Sequence, residues 1–142
     1  MCQRVQLTLQ CHPASVAAGR HWVAQTLLGW ATSDADTAHD LIDDLVLVTS
    51  ELLANAVAAC TERVVVGLEA HRDRIRVTIR DDSPEQALAR EASEGATGGR
   101  GLTIVDSLSE RWGQSAYDGF NKDVWAEVRV GPGSVLAQCP GC

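Results

Sequence analysis

The chain has 142 residues, about the length of one domain, and its 45% hydrophobic and 22% charged residues are typical of a globular protein with a buried core. A formal net charge of −7 disfavours general nucleic-acid binding, because a phosphate backbone would be repelled. No apolar run approaches the roughly 20 residues of a membrane-spanning helix. The N-terminus alternates apolar and polar residues and lacks a signal-peptide core, so we expect a cytoplasmic protein without a membrane partner.

The cysteines predict neither a disulfide framework nor a zinc site, because their number is odd and their spacing gives no four-ligand pattern. Cys139 and Cys142 have C-x-x-C spacing, but they follow Gly131-Pro132-Gly133 at a chain end, where fraying is common. We therefore assume a reducing compartment, a single domain over residues 1–131 and a flexible tail over 132–142. The five cysteines are Cys2, Cys11, Cys60, Cys139 and Cys142.

The hydrophobic periodicity predicts an α+β fold, a two-layer sandwich with helices on one face of a mixed, mostly antiparallel sheet. The segment 82–98 shows no period, and a loop of that length indicates a functional lid or disorder. The predicted elements are, in chain order, a strand around Val5–Leu9, helices over Val16–Trp30 and Thr37–Ala59, a hairpin of strands Arg63–Ala70 and Arg74–Asp81, a helix over Gly101–Arg111, a turn at Asp118-Gly119 and a strand over Val124–Val130.

Polar residues interrupt the apolar stripe of the second helix. The stripe, spaced by four, three and four residues, continues to Asn55, and Glu51 borders it one turn earlier. A buried Asn is costly unless a partner satisfies it. Asn55 alone could be a capped or water-bonded core residue, and Glu51 alone could lie on a solvated face. The stripe consists of Leu41, Leu45, Val48 and Leu52.

Two further segments depart from the pattern of a plain core. The inward phase of the second hairpin strand continues to Asp81, although alternation often inverts at a strand end. Gly98-Gly99-Arg100-Gly101 leads directly into a predicted helix, whose free N–H groups favour an anion. The alternative for this segment is a glycine-rich hinge, because it has neither the P-loop nor the Rossmann pattern. Together these features supply what a magnesium-bound nucleotide needs: oxygen ligands, an acceptor for the base and N–H groups for phosphates.

Four segments resemble the Bergerat-type ATPases, the superfamily of gyrase, Hsp90, histidine kinases and MutL. The resemblance is closest to the small anti-sigma-factor serine kinases and their relatives in actinobacteria, and it covers nearly the whole chain. The segments, all quoted from this sequence, are Leu47-Val-Thr-Ser-Glu-Leu-Leu-Ala-Asn-Ala-Val57, Val77-Thr-Ile-Arg-Asp-Asp-Ser-Pro84, Gly99-Arg-Gly-Leu-Thr-Ile-Val-Asp106 with Arg111-Trp112-Gly113, and Lys122-Asp-Val-Trp-Ala-Glu127.

The resemblance implies an ATP- and Mg²⁺-binding kinase that phosphorylates a serine of an anti-anti-sigma protein and also binds a sigma factor. It implies that Glu51 is the general base, that Asn55 is the magnesium ligand and that Asp81 accepts the adenine amino group. It leaves open whether the protein is a monomer or a homodimer. The remaining residues implied to contact the nucleotide are Ser83, Gly99, Arg100, Gly101 and Leu102.

Several residues depart from the family pattern. Ala58-Ala59 stands where many relatives have Arg-His, and Asp82-Ser83-Pro84 stands where glycines usually follow the adenine-binding Asp. Asp123 takes the place of a Thr or Ser that commonly helps to hold that Asp, so we expect a second carboxylate near the base to weaken nucleotide binding. The Asp123 and Ala58-Ala59 departures favour the alternative of a module that switches a protein partner without phosphoryl transfer. A third alternative is an interaction domain with an empty site.

Overall fold

The computed structural model describes residues 3–31, 35–71, 73–83 and 97–130. Within these ranges the chain forms five strands and three helices. The elements are β1 (Arg4–Gln10), α1 (Ala14–Trp30), α2 (Ala35–Ala59), β2 (Arg63–Ala70), β3 (Arg74–Asp81), α3 (Thr97–Leu108), β4 (Arg111–Ala116) and β5 (Lys122–Arg129). The predicted lid, apart from its two ends, and the predicted tail lie outside the described residues, as do Cys2, Cys139 and Cys142.

The five strands form one sheet in the order β1-β2-β3-β5-β4. Every pairing among them is antiparallel, so the sheet that was predicted as mixed is antiparallel throughout the described strands. In β2 and β3 buried and partly exposed residues alternate, as expected of a sheet that is covered on one face. The predicted α+β sandwich is confirmed.

The helices cover one face of this sheet, and α2 forms the centre of their layer, packing on α1, α3 and β3. Leu45, Val48 and Leu52 of the predicted stripe are at most 2% exposed, because they lie between the sheet and the other helices. Gly19 lets α1 approach α2 closely, since a Cβ atom at Gly19 would overlap the side chain of the buried Leu53 of α2. Among the described residues, no helix combines the length and apolarity needed to cross a membrane.

The chain after the predicted lid differs from the sequence-based prediction. Helix α3 begins at Thr97, four residues earlier than predicted, and ends at Leu108. The predicted helix end at Arg111 is wrong, because Arg111 opens a strand that pairs with Glu127. The helix ends at Leu108, and β4 begins three residues later. β5 likewise begins at Lys122, two residues before the predicted start.

A disulfide joins Cys11 to Cys60, so the expectation of no paired cysteines is wrong. Cys11 follows the end of β1 and Cys60 follows the end of α2, with their Cα atoms 5.9 Å apart and a sequence separation of 49. The Cys11 N–H donates to the Glu62 carbonyl at 2.9 Å and holds the two chain segments together. A pairing between residues so distant in sequence leaves no local signal.

Candidate functional site

The polar residues of α2 lie at the edge of the core. Glu51 and Asn55 are both partly buried and stand one helical turn apart, flanked by the buried Leu52 and Ala56. The fully buried Thr49 offers a contrast, because its hydroxyl donates to the Leu45 carbonyl at 2.7 Å and is satisfied within its own helix. The two predicted site residues therefore share an accessible border of α2 rather than its buried stripe.

Asp81 ends β3 on the helix-covered face of the sheet and is 2% exposed, as its phase predicts. Its Oδ1 accepts the Ser83 N–H at 2.8 Å, and Ser83 is itself only 5% exposed. Opposite Asp81 in the sheet register lies Lys122, whose Nζ is 3.8 Å from Oδ2. With a cation facing one oxygen and an N–H bonded to the other, the Asp81 carboxylate is placed as a hydrogen-bond acceptor, which is what an adenine amino group requires.

Lys122 is a candidate site residue that sequence reasoning missed. It is 7% exposed and also lines a cavity of about 310 Å³ formed around the β4–β5 hairpin, within the size range of ligand pockets. The sequence does contain a signal for its inward position. Val124, Ala126 and Val128 alternate on the inward side of β5, and Lys122 lies two residues before Val124 in the same alternation. The other residues lining the cavity are Gln114, Ser115, Ala116, Asp118, Gly119 and Asn121.

Asp123 does not lie beside Asp81, so the expectation that it would weaken nucleotide binding from there is wrong. The register pairs Asp123 with Arg80 and places both on the opposite face of the sheet. Arg80 donates from Nε to one oxygen of Asp123 at 2.8 Å and from a terminal nitrogen to the other at 3.0 Å. This hydrogen bonding, opposed in part by burial, raises the pKa of Arg80 above its ordinary value.

Asp82 holds the end of β3 against the connection between α2 and β2. Its carboxylate accepts the N–H groups of Thr61, Glu62 and Arg63 at 2.7, 2.8 and 3.3 Å. Burial alone would raise the pKa of Asp82, but these three donors hold it below the ordinary value. Because Asp81 precedes Asp82, its carboxylate and the last turns of α2 lie at the same end of the sandwich.

The predicted phosphate-binding segment lies within α3 rather than before it. The backbone of Gly99, Arg100 and Gly101 belongs to the first turns of that helix, so the predicted order of glycine loop followed by helix is wrong. Leu102 is 1% exposed and anchors the helix in the core. The structure thus gives Leu102 a packing role and places the glycines at the N-terminal end of α3, where unpaired N–H groups favour anions.

The donor set for a metal ion is sparse. Within the described part of the chain, no group of three or more His, Cys, Asp and Glu side chains could hold a metal ion. Mg²⁺ typically takes one or two protein ligands and completes its shell with phosphates and water. The amide oxygen of Asn55, at the accessible border of α2, therefore fits an ion that arrives with a nucleotide.

Comparison with known families identifies the architecture. Residues 9–127 match the model of a family described as the histidine kinase-like ATPase domain, and this range includes every candidate site residue. A search of curated proteins finds no match.

Proposed function

The chain belongs to the family of histidine kinase-like ATPase domains, and from that premise we propose that it is a regulatory kinase that transfers phosphate from ATP to a serine of a protein partner. The observation that carries the proposal is Asp81. It is a carboxylate 2% exposed at the end of β3, with Lys122 and the Ser83 N–H on its two oxygens. Such an acceptor is unneeded in a plain core and costly there, whereas a nucleotide base can use it.

Each step of the proposed reaction uses one group of this chain. Asp81 accepts the adenine amino group, and the N-terminal end of α3 binds the phosphates. The Asn55 amide oxygen would hold Mg²⁺, which would supply positive charge against the phosphates. Glu51 takes the proton of the serine hydroxyl as the serine oxygen bonds to the γ-phosphorus and the bond to the β-phosphate oxygen breaks, releasing ADP.

The nature of the partner rests on the resemblance of the motifs. We propose an anti-anti-sigma protein as the phosphate acceptor and a sigma factor as the second ligand, with the reaction taking place in the cytoplasm. The second candidate function is a module that binds ATP and switches its partner without transfer. The observation in its favour is Ala58-Ala59, which leaves the end of α2 without the Arg-His pair of many relatives.

Phosphoryl transfer to a partner decides between the two functions. The assay incubates radiolabelled ATP, Mg²⁺ and the anti-anti-sigma proteins of the same genome with wild type, Glu51→Gln, and the matched surface control Glu62→Gln. A kinase labels a serine in the wild type and the control but not in Glu51→Gln, while all three bind ATP within a few fold. Equal labelling by Glu51→Gln would remove Glu51 as the base, and ATP binding without labelling by wild type would favour the switch module.

A further inference from the structure

The face of the sheet that the helices leave uncovered is strongly basic. We call it the basic face and define it by the outward positions of the five strands. These positions carry seven of the twelve basic residues of the chain and three of its nineteen acidic residues. The face therefore has an excess of four positive charges, while the chain as a whole has a net charge of −7. The charged residues are Arg4, Arg63, Arg74, Arg76, Arg80, Arg111, Arg129, Glu69, Asp123 and Glu127.

The basic face has fewer carboxylates than guanidinium groups, so some arginines share one ion-pair partner. Glu127 is 3% exposed and lies within 4 Å of Arg74, Arg76 and Arg111. Even when the rim pairs of Asp73 with Arg74 and Glu110 with Arg129 are included, arginines outnumber carboxylates by seven to five. One buried carboxylate shared by three arginines leaves donors available to an incoming anion.

A groove of about 470 Å³ crosses this face. Its floor is made by small side chains, and a Cβ atom added at Gly67 would come no closer than 3.8 Å to Thr78. Arg4 and Glu69 border it on one side, and longer side chains of β3 and β5 border it on the other. The groove therefore combines an open floor with charged walls.

Trp125 lines the groove with a partly exposed aromatic side chain. Its ring covers Gly113, where a Cβ atom would stand only 3.0 Å from the ring, and the Arg76 guanidinium lies 4.3 Å from the ring centroid. Tyr117, which is 57% exposed, stacks in the same way with Arg80 at 3.3 Å. Trp, Tyr and Arg are the residues that most often dominate protein–protein binding energy.

We propose that the basic face is a docking surface for an acidic polypeptide segment that carries apolar side chains. Charge complementarity gives the sign of the partner, and Trp125 gives it an apolar contact. A nucleic acid fits less well, because Glu69 and Asp123 line the groove and would repel phosphates, whereas a polypeptide can place donors opposite them. Because the basic face and Asp81 lie on opposite faces of the sheet, docking leaves the candidate nucleotide site accessible.

The test measures the binding of a fluorescein-labelled peptide, in which glutamates alternate with leucine and phenylalanine, by fluorescence anisotropy. We expect saturable binding that weakens as salt is added. Arg4→Glu, a change at a side chain 79% exposed, should weaken it at least tenfold, as should Arg76→Gln. Arg20→Glu on the exposed surface of α1 changes the net charge as much as Arg4→Glu does, and should leave affinity within twofold.

The position of binding and the class of partner are tested with the same proteins. Peptide should shift the indole N–H resonance of Trp125, assigned with Trp125→Phe, and thermal melting should show that each variant is folded. The proposal is overturned if the acidic peptide does not bind, or if Arg20→Glu loses as much affinity as Arg4→Glu. Tighter binding of a single-stranded RNA or of phosphatidylserine vesicles than of the peptide would also overturn it.

Discussion

Replacing Lys122 by Met should destabilise the protein through Asp81. The substitution keeps the length and the apolar stem of the side chain but removes the ammonium group that lies 3.8 Å from the carboxylate. With an effective dielectric constant of about 20, two unit charges at that distance attract by about 4 kcal/mol before desolvation is counted. Removing one partner of a buried pair costs about 3–5 kcal/mol, because the remaining buried charge loses its counter-ion. We expect a loss of about 3 kcal/mol.

The assay is urea unfolding of a double-mutant cycle made of wild type, Lys122→Met, Asp81→Asn and the double variant. If the pair is coupled as the structure indicates, the double variant should be more stable than the sum of the single losses predicts, by about 2 kcal/mol or more. Asp123→Asn serves as the control partner, since Asp123 lies on the other face and should show no coupling to Lys122. Additive losses at Asp81 and Lys122 would refute the reasoning.

Three further predictions concern the frame of the site. Asp82→Ala should lower the free energy of unfolding by about 2 kcal/mol at neutral pH, because three N–H groups lose their acceptor. The pKa of Asp82 is lowered in the folded state, so this contribution is complete above about pH 4 and is lost as the pH falls further. Urea unfolding of both proteins at neutral and acid pH measures the difference. Reduction of the Cys11–Cys60 disulfide, or Cys60→Ser, should cost about 4 kcal/mol for a 49-residue loop, measured by urea unfolding with and without reductant. Asn55→Ala should abolish Mg²⁺-dependent ATP binding in calorimetric titration while the melting temperature stays near that of wild type.

The inward position of Asp81 could be predicted from the sequence. Ile75, Val77 and Ile79 point inward at every second position of the strand, and Asp81 is the next residue in that alternation. The bounds of β2 and β3 followed from the same alternation, since one face of each strand is apolar. Lys122 and Asp123 show the limit of this reasoning. They are adjacent, so a shift of one residue in register exchanges the side chain that faces the site with the one on the opposite face. The family resemblance predicted Asp123 as the neighbour of Asp81 in the last strand, but the strand register places Lys122 there.

Two other features depend on contacts that the local sequence does not contain. Glycines near a helix start have low helical propensity, so the helix was predicted to begin only at Gly101, but α3 begins at Thr97 and its buried Leu102 and Val105 pack in the core. The pairing of Cys11 with Cys60 arises because β1 and β2 are neighbours and α2 ends just before β2. Both outcomes were set by tertiary structure rather than by sequence pattern.

The central claim is that Asp81 accepts a hydrogen bond from the amino group of an adenine base. Competition between ATP and GTP for binding tests it most directly. Adenine presents an amino donor where guanine presents a carbonyl acceptor, so a carboxylate that only accepts hydrogen bonds discriminates between them. Wild type and Asp123→Asn should bind ATP at least tenfold more tightly than GTP, equivalent to about 1.4 kcal/mol. Asp81→Asn should bind ATP more weakly and narrow that ratio. Equal affinity of the wild type for the two nucleotides would contradict the account.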